Sequence, residues 1–310
     1  MTEADALAPI EGLEEAAAGH ERGLWSDAFR RLIRNRLAMG ALIVLAVLGV
    51  LAVTGNTIGW VQRYDPTYQD YSALKEGPSW GHFFGTDNLG RDNWARVLEG
   101  LLISLQVGLG VQVVVVTIGL LVGGTAALTG RLGDSILMRF TDLTYAFPDL
   151  LFIILMRAVL FGRDWPILGN ERLLVIFAIS FVSWTTVARL VRGQMLSLRE
   201  RDFVVAARAT GSTQVRIVYQ HMLPNTLSPI IIAVTFGIPI AIFAEAVLAF
   251  IGFGLPPPTA SLGTLVESGY RFIIETKWML IPPAATIALL MLCFTFLGDG
   301  LRDALDPRSR

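Results

Sequence analysis

Lysine is nearly missing from this chain. Lys75 and Lys277 are the only two in 310 residues, and neither stands in a Gly-x-x-x-x-Gly-Lys-Ser/Thr context. The backbone cradle that such a loop offers to a nucleotide's phosphates is therefore not encoded. A single cysteine, Cys293, excludes an internal disulfide. The three histidines (His20, His82 and His221) lie far apart, and with no His-Glu-x-x-His pattern they offer no hydrolytic metal site. Charge is scarce as well: 16% of residues, against about 25% in ordinary soluble domains. The net charge of −1 provides no basic field for a nucleic acid. None of these counts points to an enzyme.

What the chain does have is apolar length. It is 53% hydrophobic, with a mean hydropathy of +0.57. No charge interrupts residues 37–62, 100–130, 173–188, 246–266 or 278–298. A membrane-spanning helix needs about 20 mostly apolar residues. The pattern predicts an all-α integral membrane protein with six spans, at 37–57, 101–127, 143–161, 172–190, 228–250 and 281–299. Asp149 and Arg157 interrupt the third, and Glu245 the fifth. The first span begins well inside the chain, after an acidic Ala/Glu-rich tail, and does not read as a cleaved signal peptide.

Basic residues set the orientation, because Lys and Arg are retained on the cytoplasmic side. With the N-terminus inside, sixteen of the 25 basic residues fall in cytoplasmic segments. They include Arg30, Arg31, Arg34 and Arg36 before the first span, and Arg189, Arg192, Arg199, Arg201, Arg208 and Arg216 in the loop before the fifth. Both termini are expected inside. The chain then divides into a cytoplasmic tail at 1–36, the first span with a long outer loop at 37–100, a core at 101–300, and a cytoplasmic tail at 301–310. Trp60, Trp80, Trp94 and Trp278 lie near span ends, where amphipathic rings favour the headgroup zone.

The inner loop at 200–225 is the most informative polar stretch, VVAARATGSTQVRIVYQHMLPN over residues 204–225. Phe203, Ala206, Ala207 and Thr210 recur at helical spacing, and Val215, Val218, Tyr219 and Met222 do so again. Gly211 between them suits a left-handed helix end, Ser212 can cap the second helix, and Leu223-Pro224 is expected to stop it. Two interfacial helices resting on lipid are one reading. A docking site for a soluble cytoplasmic partner explains the helix–glycine–helix pattern more fully.

With Ala206-Ala207, Gly211 in register and Pro224 thirteen residues later, the stretch resembles the Glu-Ala-Ala loop of permease subunits of bacterial ABC importers. Val205 stands at the glutamate position. His221 occupies a position that is often histidine in peptide-importer permeases. FGTDNLGRDNWARVLEG (84–100), AEAVLAFIGFGLPPP (244–258), SLGTLV (261–266) and LGDGLRDALDPR (297–308) resemble, in order, further segments of the C-type permeases for dipeptides, oligopeptides and nickel. Ala249 and Leu262 depart from the usual serine and tryptophan. The resemblance implies the type I permease fold in a bacterial inner membrane and a heterodimer with a B-type permease. It also implies two cytoplasmic ATPase subunits that carry ATP and Mg, and an extracytoplasmic substrate-binding protein. No cofactor is expected in this chain itself. Phe203, Ala206, Ala207, Gly211, Val215, Leu223 and Pro224 are then expected to couple to the ATPases. The cargo is di- or oligopeptide, with nickel complexes, glutathione or another small peptide-like solute as alternatives.

Two membrane charges remain. A charge at mid-bilayer costs at least roughly 2.5–3.5 kcal/mol and by default marks function. Arg157 either faces the translocation path, where it can attract a carboxylate, or snorkels to the outer interface. Glu245 either lines the path or bonds a neighbouring helix. Asp87 is expected to cap a short outer helix through Arg91, Trp94 and Leu98. An autonomous secondary transporter using Arg157 and Glu245 as coupling groups is the competing class, and it leaves the inner loop without a role.

Overall fold

A computed structural model describes residues 24–160 and 170–306, which are mostly helical. The acidic tail lies outside these residues, as do residues 161–169 between the expected third and fourth spans. An amphipathic helix α1 (Leu24–Arg34) leads into α2 (Arg36–Thr57), whose N-terminus is capped by the Asn35 side chain accepting from the Ala38 amide at 3.2 Å. After the outer loop, α3 (Asn93–Leu128) runs for 36 residues, about 54 Å at 1.5 Å per residue. Helices α4 (Arg131–Tyr145), α5 (Asp149–Leu160) and α6 (Glu171–Arg199) follow. The short α7 (Asp202–Ala209) and α8 (Gln214–Ile217) precede α9 (Leu223–Leu248), and α10 (Leu262–Arg271) and α11 (Lys277–Leu305) complete the order.

Among the described residues, five helical stretches are long and apolar enough to cross a membrane: α2, α3, α6, the continuous run Gln214–Phe253 that contains α9, and α11. The expected third span differs. Residues 146–148 form a turn, because the residue before Pro148 is pushed out of the helical region. Helix α5 therefore starts at Asp149 and shows 12 described residues, with 161–169 outside the description.

Parity bears on this segment. Ala28 of α1 packs with Ala304 and Leu305 of α11, and Arg31 Nη1 donates to the Asp306 carbonyl at 3.2 Å. A Cβ on Gly300 would meet Ala38 Cβ at 2.3 Å. The first long helix thus starts where the last one ends, which demands an even number of crossings. The five long helices among the described residues supply an odd number, and the expected third span lies at α5.

Helices α3 and α6 form the most extensive helix pair among the described residues. Gly119 and Gly123 lie four residues apart, and a Cβ on Gly123 would sit 2.3 Å from the Ala188 carbonyl oxygen. Small residues at such an interface let two backbones approach without relying on the hydrophobic effect, which is weak between helices in lipid. Val107, Val111 and Val115 interlock there with Val187, Val191 and Met195. Leu101, Ile242, Leu262, Leu290 and Phe294 fill a second core where α3, α9, α10 and α11 meet. Outward faces are bare and apolar, with Val50, Val113, Leu121 and Leu292 all exposed.

The expected stop at Leu223-Pro224 is also corrected. Helix runs through it, because residues 218–222 form a π-turn in which the Leu223 amide donates to the Val218 carbonyl. The wider turn reroutes the backbone bonds just before Pro224, so the proline ring enters the first turn of α9 rather than ending a helix.

Candidate functional site

The inner insert folds as two short helices around a glycine. Helix α7 closes with the Ser212 amide donating to the Ala207 carbonyl and the Gly211 amide to Arg208, both at 3.1 Å. That pair of bonds is the Schellman arrangement, which needs a left-handed residue at the glycine position. Gly211 has φ +80°, and a Cβ there would meet nothing within 4 Å, so conformation alone demands glycine. Thr213, one residue after the expected Ser212, caps α8. The Ser212 backbone amide instead makes the preceding helix's closing bond.

Burial redraws the two stripes. Val204, Ile217, Val218 and Met222 are buried and root the insert in the main core, with Ala207 and Leu223 half-buried against it. Phe203, Val205, Val215 and Tyr219 are exposed at 41%, 52%, 66% and 68%, and Ala206, Gly211 and Pro224 are exposed too. The second stripe therefore splits, Val215 and Tyr219 outward and Val218 and Met222 inward. Helical spacing alone reveals a shared face without saying whether a neighbour covers it, so the anchors Val204 and Ile217 could not be separated from the free residues. Arg192 holds Asp134 of α4 through two bonds, at 2.5 and 2.6 Å, and so braces α6 against α4.

At the other end of α3, the segment around Gly-Thr-Asp-Asn-Leu-Gly-Arg-Asp is a loop held by side-chain hydrogen bonds. Asp92, and not Asp87, caps α3 by accepting from the Ala95 amide at 2.8 Å, and its other oxygen faces His82 Nδ1 at 2.8 Å. Asp87 is a buried hub. It accepts from the Leu89 and Arg91 amides, from Arg91 Nε at 2.7 Å, and from Arg96 Nη1. Gly90 has φ +74°, and a Cβ there would fall 1.8 Å from the Asp70 carbonyl oxygen.

The two membrane charges occupy different settings. Glu245 is 1% exposed. It accepts from Ser104 Oγ at 3.3 Å, while Ser104 accepts from the Leu262 amide at 3.1 Å. One serine thus ties α3, α9 and α10 together. Arg157, at 6% exposed, lines a cavity of about 510 Å³ with Arg91, Arg96, Glu267 and Arg271. A second cavity of about 590 Å³ opens between α3, α5, α6 and α9, edged by Gln112, Asp149, Thr185 and Phe236. Gln112 fits there because Gly237 has no side chain, since a Cβ would lie 2.5 Å from its Oε1.

This architecture matches known proteins along most of its length. A family model described as "Binding-protein-dependent transport system inner membrane component" matches residues 116–310, and one described as the N-terminal transmembrane domain of oligopeptide transport permease C matches 23–78. The chain belongs to the family of binding-protein-dependent inner-membrane transport components. The dipeptide transport system permease protein DppC of Bacillus subtilis is 40% identical over 285 residues, covering 92% of this chain and 86% of that one. The oligopeptide transport system permease protein OppC of Escherichia coli K12 is 37% identical, with 97% of each chain covered. OppC of Bacillus subtilis is 36% identical over 93% of this chain and 90% of its own. In fold, the chain resembles the inward-facing MetNI methionine ABC transporter, at 19% identity and a TM-score of 0.53, over 68% of this chain and 96% of that one. This family member is thus a multi-pass inner-membrane permease.

Proposed function

We propose that this permease is one half of the translocation path of an ATP-driven importer of di- and oligopeptides. It pairs with a related B-type permease, takes cargo from an extracytoplasmic binding protein, and is driven by two cytoplasmic subunits that bind ATP and Mg. The peptide assignment is supported by relatives named for oligopeptide and dipeptide transport that align over nearly the whole chain. The observation that carries the mechanism is the insert. Phe203, Val205, Val215 and Tyr219 stand exposed on two short helices whose opposite sides are rooted in the core between α6 and α9. A partner gripping that surface pulls on both helices at once.

Helices α6 and α9 also border the cavity edged by Gln112, Asp149 and Thr185. Motion at the insert is therefore transmitted to the walls of the path, with Gly211 as the joint and Leu223-Pro224 as the stiff entry into α9. Arg157 faces the outer part of the path, and Glu245 holds the wall together behind it. With Val205 in place of the family's glutamate, the grip depends on shape and apolar burial more than on one ion pair. The test is co-expression of this chain with its neighbouring permease, ATPase and binding-protein genes. The expected result is a stable complex whose ATP-dependent uptake of labelled peptide requires all components. Peptide uptake by this chain alone in vesicles would overturn the reading.

A further inference from the structure

Helix α1 presents more apolar surface than its contacts with α11 cover. One edge, Ala28 with Leu32, packs on Ala304 and Leu305. Trp25, Phe29 and Ile33 recur every four residues on the adjoining edge, and they are 49%, 62% and 48% exposed. Arg30 and Arg34 follow one residue later, about 100° further round the helix, and both are exposed. Arg36 at the start of α2 is exposed as well, and Asp27 is the one acid in α1. Among the described residues no salt bridge engages Arg30, Arg34 or Arg36. Arg31 has a different task, since its bond to the Asp306 carbonyl fastens α1 to the end of α11.

We propose that α1 docks on anionic lipid, with Trp25, Phe29 and Ile33 among the acyl chains and Arg30, Arg34 and Arg36 on headgroup phosphates. Only Asn35, extended at φ −78° and ψ 103°, separates α1 from α2, the first stretch long and apolar enough to cross. The C-terminal end of α1 is therefore held at the membrane surface. Leu32 holds it from the side, since its Cδ1 lies 3.4 Å from where a Cβ on Gly300 of α11 would stand. An apolar stripe at that level meets acyl chains, and a helix with one apolar and one basic face is built to lie at such an interface. Charge selects the lipid. The arginine bias marks this surface as the inner one, where the leaflet is anionic and each nearby Lys or Arg strengthens attraction about fivefold. A guanidinium also offers a planar fork to two phosphate oxygens. Zwitterionic lipid alone would satisfy the stripe and leave three guanidiniums without net negative charge to meet them. Because α1 is fastened to the end of α11, lipid that grips it also holds the last span.

The experiment uses the full-length chain in its assembled complex, reconstituted in vesicles. Phe29→Cys in a Cys293→Ser background carries a bimane fluorophore, and the signal of the Cys293→Ser complex is subtracted. The vesicles hold equal amounts of phosphatidylcholine and phosphatidylglycerol, with bromine on the acyl chains of one lipid or the other. Both brominated lipids should quench the fluorophore, and the quenching should report phosphatidylglycerol enriched locally about fivefold or more. Arg30→Gln combined with Arg34→Gln, at two exposed side chains, should bring that enrichment close to one. Arg30→Lys combined with Arg34→Lys should keep most of it. Absence of quenching by either lipid overturns the proposal, because the stripe is then covered by protein or faces water. Equal quenching by the two lipids with the native arginines overturns it too. So does a phosphatidylglycerol preference that survives both glutamine substitutions.

Discussion

Gly90 and Glu245 show how single residues are held by neighbours that the local sequence does not display. A side chain at Gly90 must adopt φ +74° and displace the Asp70 backbone. The left-handed conformation costs roughly 1–2 kcal/mol, and the forced displacement adds about 1–3 kcal/mol. Gly90→Ala should lower the complex's thermal unfolding midpoint by several degrees, and an unchanged midpoint would show the outer loop to be loosely attached. At Glu245 the discriminating pair is Gln and Ala. Glutamine keeps an oxygen for Ser104 and should assemble normally, whereas alanine strands a buried hydroxyl at a cost of about 1–3 kcal/mol. Detergent-extracted yield of each variant, measured by size-exclusion chromatography, checks this. If Glu245→Gln instead assembles normally but abolishes transport, the carboxylate serves the path and not the wall. The acidic residues of the outer loop were visible in the sequence, but their division of labour was not. Capping patterns are local, whereas the role of Asp87 depends on Arg96, nine residues away across a loop.

At the scale of elements, the insert and its glycine carry the argument. Both short helices, the left-handed joint and the apolar residues were legible, because helical periodicity and glycine's conformational range are properties of a few neighbouring residues. Which residues face the core was not, since burial is decided by α6 and α9. The run through Pro224 was hidden for a related reason: a π-turn leaves no periodic mark in five residues. Gly211 has empty space around it, so substitutions there test conformation without steric conflict. Gly211→Val forces a β-branched residue into the left-handed region and should uncouple ATP hydrolysis from transport. Gly211→Asn, which tolerates that region far better, should retain most coupling. The measurement is ATPase stimulation by loaded binding protein in the assembled complex. Equal behaviour of the two variants would remove the joint from the mechanism.

For the whole molecule, the open quantity is the number of crossings, and it turns on α5. The apolar runs made five spans plain in the sequence. The third span starts later than the expected residue 143, because Pro148 breaks the hydrophobic stretch that composition alone joins together. The twelve described residues of α5, at about 1.5 Å each, account for some 18 Å of the roughly 30 Å hydrocarbon core, and residues 161–169 lie outside the described residues. Yet the packing of α1 and the start of α2 against the end of α11 requires an even count. The arginine bias sets the direction to be tested, with α4 and the insert expected inside and the start of α6 outside. Asp142 in α4 and Asn170 before α6 are both exposed and bracket the disputed segment. The single native cysteine, Cys293, is buried and can be replaced by serine to give a silent background. In that background, Asn170→Cys should react with a membrane-impermeant maleimide in intact spheroplasts, and Asp142→Cys only after permeabilisation. Labelling of both from the same side would mean that α5 does not cross, and would turn the half of the chain beyond it, insert included, to the wrong face of the membrane.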